Sequence, residues 1–312
     1  MTNTNNIALM IWKRDWGLVG RQFAAWLIIL AIYVAIIAVA TAFIRGPVLY
    51  FIYGLVFIIA FVQFFFSDAI VQKTMDVQLL EDGQNPKLVN MVRELAEEAG
   101  IPMPRVGIIM HPSMAAIPNA FATGRSPRHA VVAVTPRIME LLSEKELRGV
   151  LAHEISHIRN RDMLTMTIGS FAVMLAEIIL NNSFMIALFG GMRDSEGPGI
   201  IVYFALIAVT FVVYIIGTMV TMAISRYREF AADRGSGYLT QDPDSLISAL
   251  RKLSRASDDA DSEKKKEVSG LNAFFITPAI SGESVLELFS THPTLEKRIE
   301  NLEKVRAEIH GY

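Results

Sequence analysis

The sequence alternates four long apolar blocks with two polar portions. Residues 23–44 and 47–66 make the first apolar pair, turning at Arg45-Gly46-Pro47. Neither carries a charge, and each is long enough as a helix to cross ~30 Å of hydrocarbon. A block at 199–224 is equally free of charge. The block at 163–189 differs, because it holds Glu177, Asn181 and Asn182. An ionisable group at that depth faces a neighbouring helix or a wet cavity, so the segment is read as a span or a partly re-entrant one. The pattern predicts a mainly α integral membrane protein with four transmembrane helices.

The polar portions, 67–162 and 225–312, read as a cytoplasmic α+β domain divided by the second pair of spans. Residues 85–99 have helical periodicity and stop at Gly100-Ile101-Pro102. Three β-like runs follow at 105–110, 119–123 and 130–134, separated by turn residues, and they predict a small antiparallel sheet. Ser143 with Glu146 three residues on is the start signal of another helix. The stretch 254–269, rich in Asp, Ser, Glu and Lys, reads as a mobile solvated loop. The domains are therefore an N-terminal tail and hairpin over 1–66, polar 67–162, a span pair over 163–224, and polar 225–312. No internal repeat is visible.

Charge sets the orientation. Lys13, Arg14 and Arg21 precede the first span, Arg159 and Arg161 the third, and Arg226 and Arg228 follow the fourth, against Arg45 and Arg193 on the other side. The positive-inside rule then places both termini and both polar portions in the cytoplasm. The first apolar run has the length of a span, not of a signal peptide. Hydrophobic content of 52% exceeds the ~45–50% of soluble domains. The net charge of −2 gives no reason to expect nucleic acid as a partner. There are no cysteines, so any metal must be held by His, Asp or Glu.

The chemistry sits in His153-Glu154-Ile155-Ser156-His157. Imidazoles four apart on a helix share a face and can meet one ion, with Glu154 placed to reach a water beside it. Catalytic zinc commonly takes two histidines and a glutamate, leaving one position open. Glu229, in Ser225-Arg226-Tyr227-Arg228-Glu229, is the candidate third ligand. His157 lies six residues before position 163 and Glu229 five after 224. At 1.5 Å per residue these offsets are about 9 and about 7.5 Å, so continuous helices would hold both ligands at nearly one height above the bilayer. Glu154 is the candidate general base. Asp233, one turn past Glu229, can accept the second N–H of His153; its alternative is an ion pair with Arg226 or Arg228.

Taken together, the chain resembles the HtpX membrane zinc peptidases, gluzincins related to the CAAX prenyl endopeptidases. The resemblance rests on the N-terminal span pair, Pro118-Asn119-Ala120-Phe121-Ala122-Thr123-Gly124, the His153–His157 motif, the Ser225–Asp233 segment and Phe289-Ser290-Thr291-His292-Pro293. It implies one Zn²⁺ per chain and an edge strand at Asn119 and Ala120 that binds the substrate backbone. It also implies that His292 and Arg298 act near the substrate or the tetrahedral intermediate. From the residues alone, Asn119 also reads as a turn residue and Arg298 as an ordinary member of a charged helix. The implied activity is endopeptidase cleavage of misfolded membrane proteins at the cytoplasmic membrane in stress response, with possible self-cleavage. Two alternatives stand beside it: a CAAX-type prenyl-protein endopeptidase, and a non-catalytic membrane scaffold with a structural zinc.

Overall fold

In the computed structural model, residues 16–43, 47–81, 83–181, 199–258 and 292–311 are described. Helix α1 (Trp16–Phe43) and helix α2 (Pro47–Thr74) carry the first two apolar blocks. Both outrun the blocks, since nothing at the hydrocarbon boundary stops a helix. Helix α7 (Asp162–Asn181) carries the described part of the third block, and helix α8 (Gly199–Thr240) runs unbroken for 42 residues. Two helical stretches, Trp16–Ala35 and Ile207–Thr240, are long and apolar enough to cross a membrane. A third is reached if Tyr53–Phe66 and Asp68–Thr74 of α2, bent by 60°, count as one. The 163–189 segment is described only as far as Asn181, and Glu177 is exposed there instead of lying against a neighbouring helix.

Small residues let the apolar helices approach. Ile29 of α1 lies 3.5 Å from where a side chain on Gly169 of α7 would begin, and Thr221 of α8 donates to the Gly169 carbonyl at 3.2 Å. Tyr33 Oη donates to the Ile168 carbonyl at 2.8 Å. Large apolar side chains on the opposite faces, among them Phe57, Phe61 and Phe211, point outward. A bilayer is the medium in which that exposure is favourable.

Helix α2 turns through Asp76 (φ 47°) into strand β1 (Val77–Leu79), which the sequence reading did not anticipate because a three-residue strand shows no usable alternation. Strands β2 (Arg105–Ile109), β3 (Ala120–Thr123) and β4 (Val131–Val134) fall on the anticipated runs. The order is β1-β2-β4-β3. The sheet is mixed, not antiparallel: β1–β2 and β3–β4 are antiparallel, but β2–β4 is parallel, with Val106 opposite Val132. The reason is connectivity. Between β2 and β4 the chain runs through helix α4 (Pro112–Ala115), β3 and a 3₁₀ turn (Pro127–His129), long enough for the crossover a parallel pair needs. Strand β3 is left on the sheet edge.

Helix α3 (Pro86–Ala99) starts at Asn85, whose side chain accepts from Leu88 N, and ends at left-handed Gly100. Its Leu88, Met91, Val92 and Leu95 face the core. After helix α5 (Pro136–Leu141), helix α6 (Glu144–Asn160) opens with the expected reciprocal cap: Glu146 accepts from Ser143 N at 2.8 Å, and Ser143 from Glu146 N at 3.5 Å. Helix α9 (Pro243–Asp258) extends through 254–258, where a mobile loop was expected. Its buried Leu246, Leu250 and Leu253 recur at helical spacing and carry the helix into the charged stretch; the remainder of 254–269 lies outside the described residues. Leu246 crowds α6 at Gly149, where a Cβ would meet backbone atoms at 3.2 and 3.3 Å. Val150, Leu151, Ala152 and Ile155 of α6 join Val132, Val134 and Leu250 in one core. Burying each large aliphatic chain contributes about 1.5–3 kcal/mol, so the metal-motif helix is firmly anchored.

Candidate active site

The rigid element is α6, buried along nearly its whole length, and its third and fourth turns present His153 and His157 side by side. Their Nε2 atoms lie 3.1 Å apart. Glu229 approaches from α8, with Oε2 3.6 Å from His153 Nε2 and Oε1 3.5 Å from His157 Nε2. Donors bonded to zinc at about 2.0–2.2 Å in a tetrahedron stand roughly 3.3–3.6 Å from one another. These three side chains therefore fit such an ion, and they form a compact group with ligand atoms within 4.8 Å. Glu229 Oε2 supports the fit: it is buried and makes no hydrogen bond of ordinary geometry among the described residues.

Both imidazoles are held from behind. His153 Nδ1 lies 3.0 Å from Asp233 Oδ1, the partner expected from the sequence. His157 Nδ1 lies 2.6 Å from Asp162 Oδ2, a partner the sequence reading missed. The signal was present: Asp162 follows His157 by five residues, just past the helix end, but a carboxylate at a helix start reads first as a terminal charge. Burial pushes the His153 imidazole down, but Asp233 and Glu229 outweigh it and raise it to about 9. A metal must displace that proton to bind.

Glu154 is 4% exposed and faces β3. Burial raises its carboxyl above the usual range, while His153 and His157 act in the opposite sense. The Ala122 N–H donates to it, a contact also missed. Along β3 the main chain alternates. Asn119 is turned inward, its N–H donating to Thr135 Oγ1 at 2.9 Å and its carbonyl accepting from Thr135 N at 2.9 Å. Ala120 and Ala122 stand in the opposite phase, so their backbone groups face the free edge above α6. A cleft continues from this edge past Thr123, His157, Ile158, Met163 and Leu164.

Helix α10 (Leu295–His310), capped by Thr294, closes the far side. Arg298 does not reach toward the open cleft. It grips Asp233 with two bonds, Nε to Oδ2 at 2.9 Å and Nη2 to Oδ1 at 2.6 Å, with Nη1 3.7 Å from Glu229 Oε2. Asp233 thus pairs with Arg298 and His153, and Arg228 faces Asp162 instead. His292, 5% exposed, brings Nδ1 to 3.4 Å from Glu229 Oε2. Glu229, Asp233, His292 and Arg298 gather around the two histidines, while the Asn119 main chain bonds to Thr135 on the neighbouring strand. His129 and His310 are exposed and stand apart from it.

Comparison with known proteins places this geometry. Residues 82–306 match Peptidase family M48. The chain belongs to peptidase family M48. It is 43% identical over 300 residues to "Protease HtpX homolog 2" of Methanosarcina acetivorans, covering 96% of this chain and 98% of that protein. It is 41% identical over 301 residues to "Protease HtpX homolog" of Moorella thermoacetica, covering 95% and 96%. Its fold is similar to the crystal structure of S. mikatae Ste24p, with a TM-score of 0.55 at 21% identity, covering 90% of this chain and 64% of that one. The M48 assignment and the apolar helices together make the protein a membrane metalloprotease with polypeptide substrates. M48 metalloproteases are zinc-dependent in general, and the cluster of His153, His157 and Glu229 could bind the metal.

Proposed function

We propose that this M48 protein is a zinc endopeptidase of the cytoplasmic membrane that cuts extended segments of misfolded membrane proteins at the cytoplasmic face. The observation that carries the reading is the convergence of His153 Nε2, His157 Nε2 and the Glu229 carboxylate, one ligand atom from each within 4.8 Å of the others, beside a buried carboxylate at Glu154. Three protein ligands leave a position open, which favours catalysis over a purely structural ion. When bound, zinc supplies Lewis acidity toward the scissile carbonyl and makes water acidic enough to deprotonate near neutral pH.

The chain's own groups do the rest. The substrate lies along the β3 edge and pairs its main chain with Ala120 and the Ala122 carbonyl, a mode indifferent to side-chain identity and suited to unfolded segments. Asn119 fixes the phase of that edge through Thr135. Glu154 removes a proton from the attacking water and passes it to the leaving amine, and its raised affinity for protons suits both halves of the transfer. His292 donates a hydrogen bond toward the oxyanion as the tetrahedral species forms. Arg298 acts through Asp233, holding the carboxylate that holds His153.

Four spans with both termini in the cytoplasm follow from the basic residues flanking the apolar blocks, Arg21, Arg161, Arg226 and Arg228 among them. An active site one to two turns from the spans suits substrates that emerge from the bilayer, including other copies of the chain in self-cleavage. The test is proteolysis of casein by the purified full chain. Cleavage that stops on chelation and returns with zinc supports the proposal; cleavage that persists without metal rejects it.

A further inference from the structure

We propose that Asp162 and Arg228 form a positioning pair for His157 and tie the metal site to the first turn of α7. The inference rests on the metalloprotease reading in which His157 is a ligand. Helix α6 ends at Asn160, and Arg161 takes the left-handed conformation, φ 57° and ψ 39°, with its N–H capping the carbonyls of His157 and Ile158. That single residue breaks the helix, and Asp162, the first residue of α7, meets His157. The left-handed region crowds the Cβ of any residue but glycine, so this turn is held by its surroundings.

The result is a buried contact of 2.6 Å between His157 Nδ1 and Asp162 Oδ2, with side chains 9% and 6% exposed. The carboxylate accepts a hydrogen bond from Nδ1–H, which leaves the Nε2 lone pair facing the position shared with His153 Nε2 and Glu229. Arg228, the residue before Glu229, brings Nε to 3.5 Å from the same oxygen. That Nε is buried and has no hydrogen-bond partner among the described residues, so Asp162 is the anion it faces. His157, Asp162 and Arg228 thereby repeat the order of His153, Asp233 and Arg298: imidazole, carboxylate, guanidinium. The two sets close from different sides. One is completed by α10, the other by α7 and α8, the helices that continue into the apolar part of the molecule.

A plainer role for Asp162 is an acidic first residue of α7, favoured there by the helix dipole. The two roles separate on metal affinity. Zinc binding would be measured on the full chain in detergent by competition with a chromophoric chelator, for the parent, Asp162→Asn and Arg228→Gln, with melting curves of the metal-free forms. Positioning predicts a 10–100-fold weaker zinc affinity in Asp162→Asn, and a smaller loss in Arg228→Gln, while the metal-free forms melt close to the parent. Parent-like zinc affinity in Asp162→Asn overturns the proposal. Should that variant not fold, unchanged affinity in Arg228→Gln overturns it instead. A parent chain that binds no zinc would reject the underlying metalloprotease reading, a result distinct from either.

Discussion

The guanidinium of Arg298 meets both oxygens of Asp233, and the pair is 2% and 0% exposed. It fastens the C-terminal helix α10 to α8 directly behind His153. Removing one member of such a buried pair strands the other charge, at about 3–5 kcal/mol. Arg298→Ala should therefore lower the melting temperature and weaken zinc retention together. Arg298→Lys keeps the charge but loses the fork and should fall between. Thermal melts with parallel metal analysis check this; an Arg298→Ala variant that melts and binds zinc like the parent contradicts it.

Glu154 touches neither the carboxylates that orient the imidazoles nor the helix caps. Glu154→Gln should fold, bind one zinc and lose proteolysis by roughly 10²–10⁴-fold, the size of a lost acid–base group. Single-turnover cleavage of a labelled peptide measures the loss. Full activity in this variant would mean the proton goes elsewhere.

Gly124 ends the edge strand at φ +131°, and an added Cβ would lie 2.5 Å from the His129 carbonyl oxygen and 2.7 Å from Ala130 Cα. Backbone cannot yield as a flexible side chain would. Gly124→Ala should distort the β3–β4 turn and raise KM for extended peptides, while zinc binding on α6 stays near the parent value. Equal losses in both would show that β3 supports the whole domain instead of the substrate edge.

Much of this was legible in the sequence because strong local signals set it. The Ser143–Glu146 cap, the i, i+4 histidines and the Gly100 stop each act within one or two helical turns. Glu229 and Asp233 were legible from their one-turn spacing on unbroken α8, whereas the height match also assumes a helix continuous from His157 into the third block, and that helix breaks at left-handed Arg161. Three features were not. The parallel β2–β4 pairing depends on a crossover whose path no local residue states. Asp162 reaches His157 only through the left-handed Arg161. The two bonds from Arg298 to Asp233 join residues 65 apart in sequence, and nothing in α10 distinguishes that arginine from its charged neighbours.

Glu146 contributes one acid-sensitive part of the fold's stability. Burial works against its charge, but Lys252 at 2.7 Å, Ser248 at 2.6 Å and the Ser143 N–H hold the carboxyl down at about 2, from an ordinary 4.5. A depressed acid stabilises the folded state above its unfolded value and loses that contribution as pH falls through the folded one. Stability from this group should be complete above about pH 4.5 and vanish on approach to pH 2. Melting temperatures between pH 6 and pH 2 should fall more steeply for the parent than for Glu146→Gln; parallel curves would contradict the assignment.

His153, His157 and Glu229 should share one ion. Anomalous scattering from crystals of the zinc-loaded chain, recorded on either side of the zinc edge, tests it most directly. One peak per chain is expected, bonded by both Nε2 atoms and the Glu229 carboxylate. A peak elsewhere, or one from which Glu229 stands apart, would contradict it.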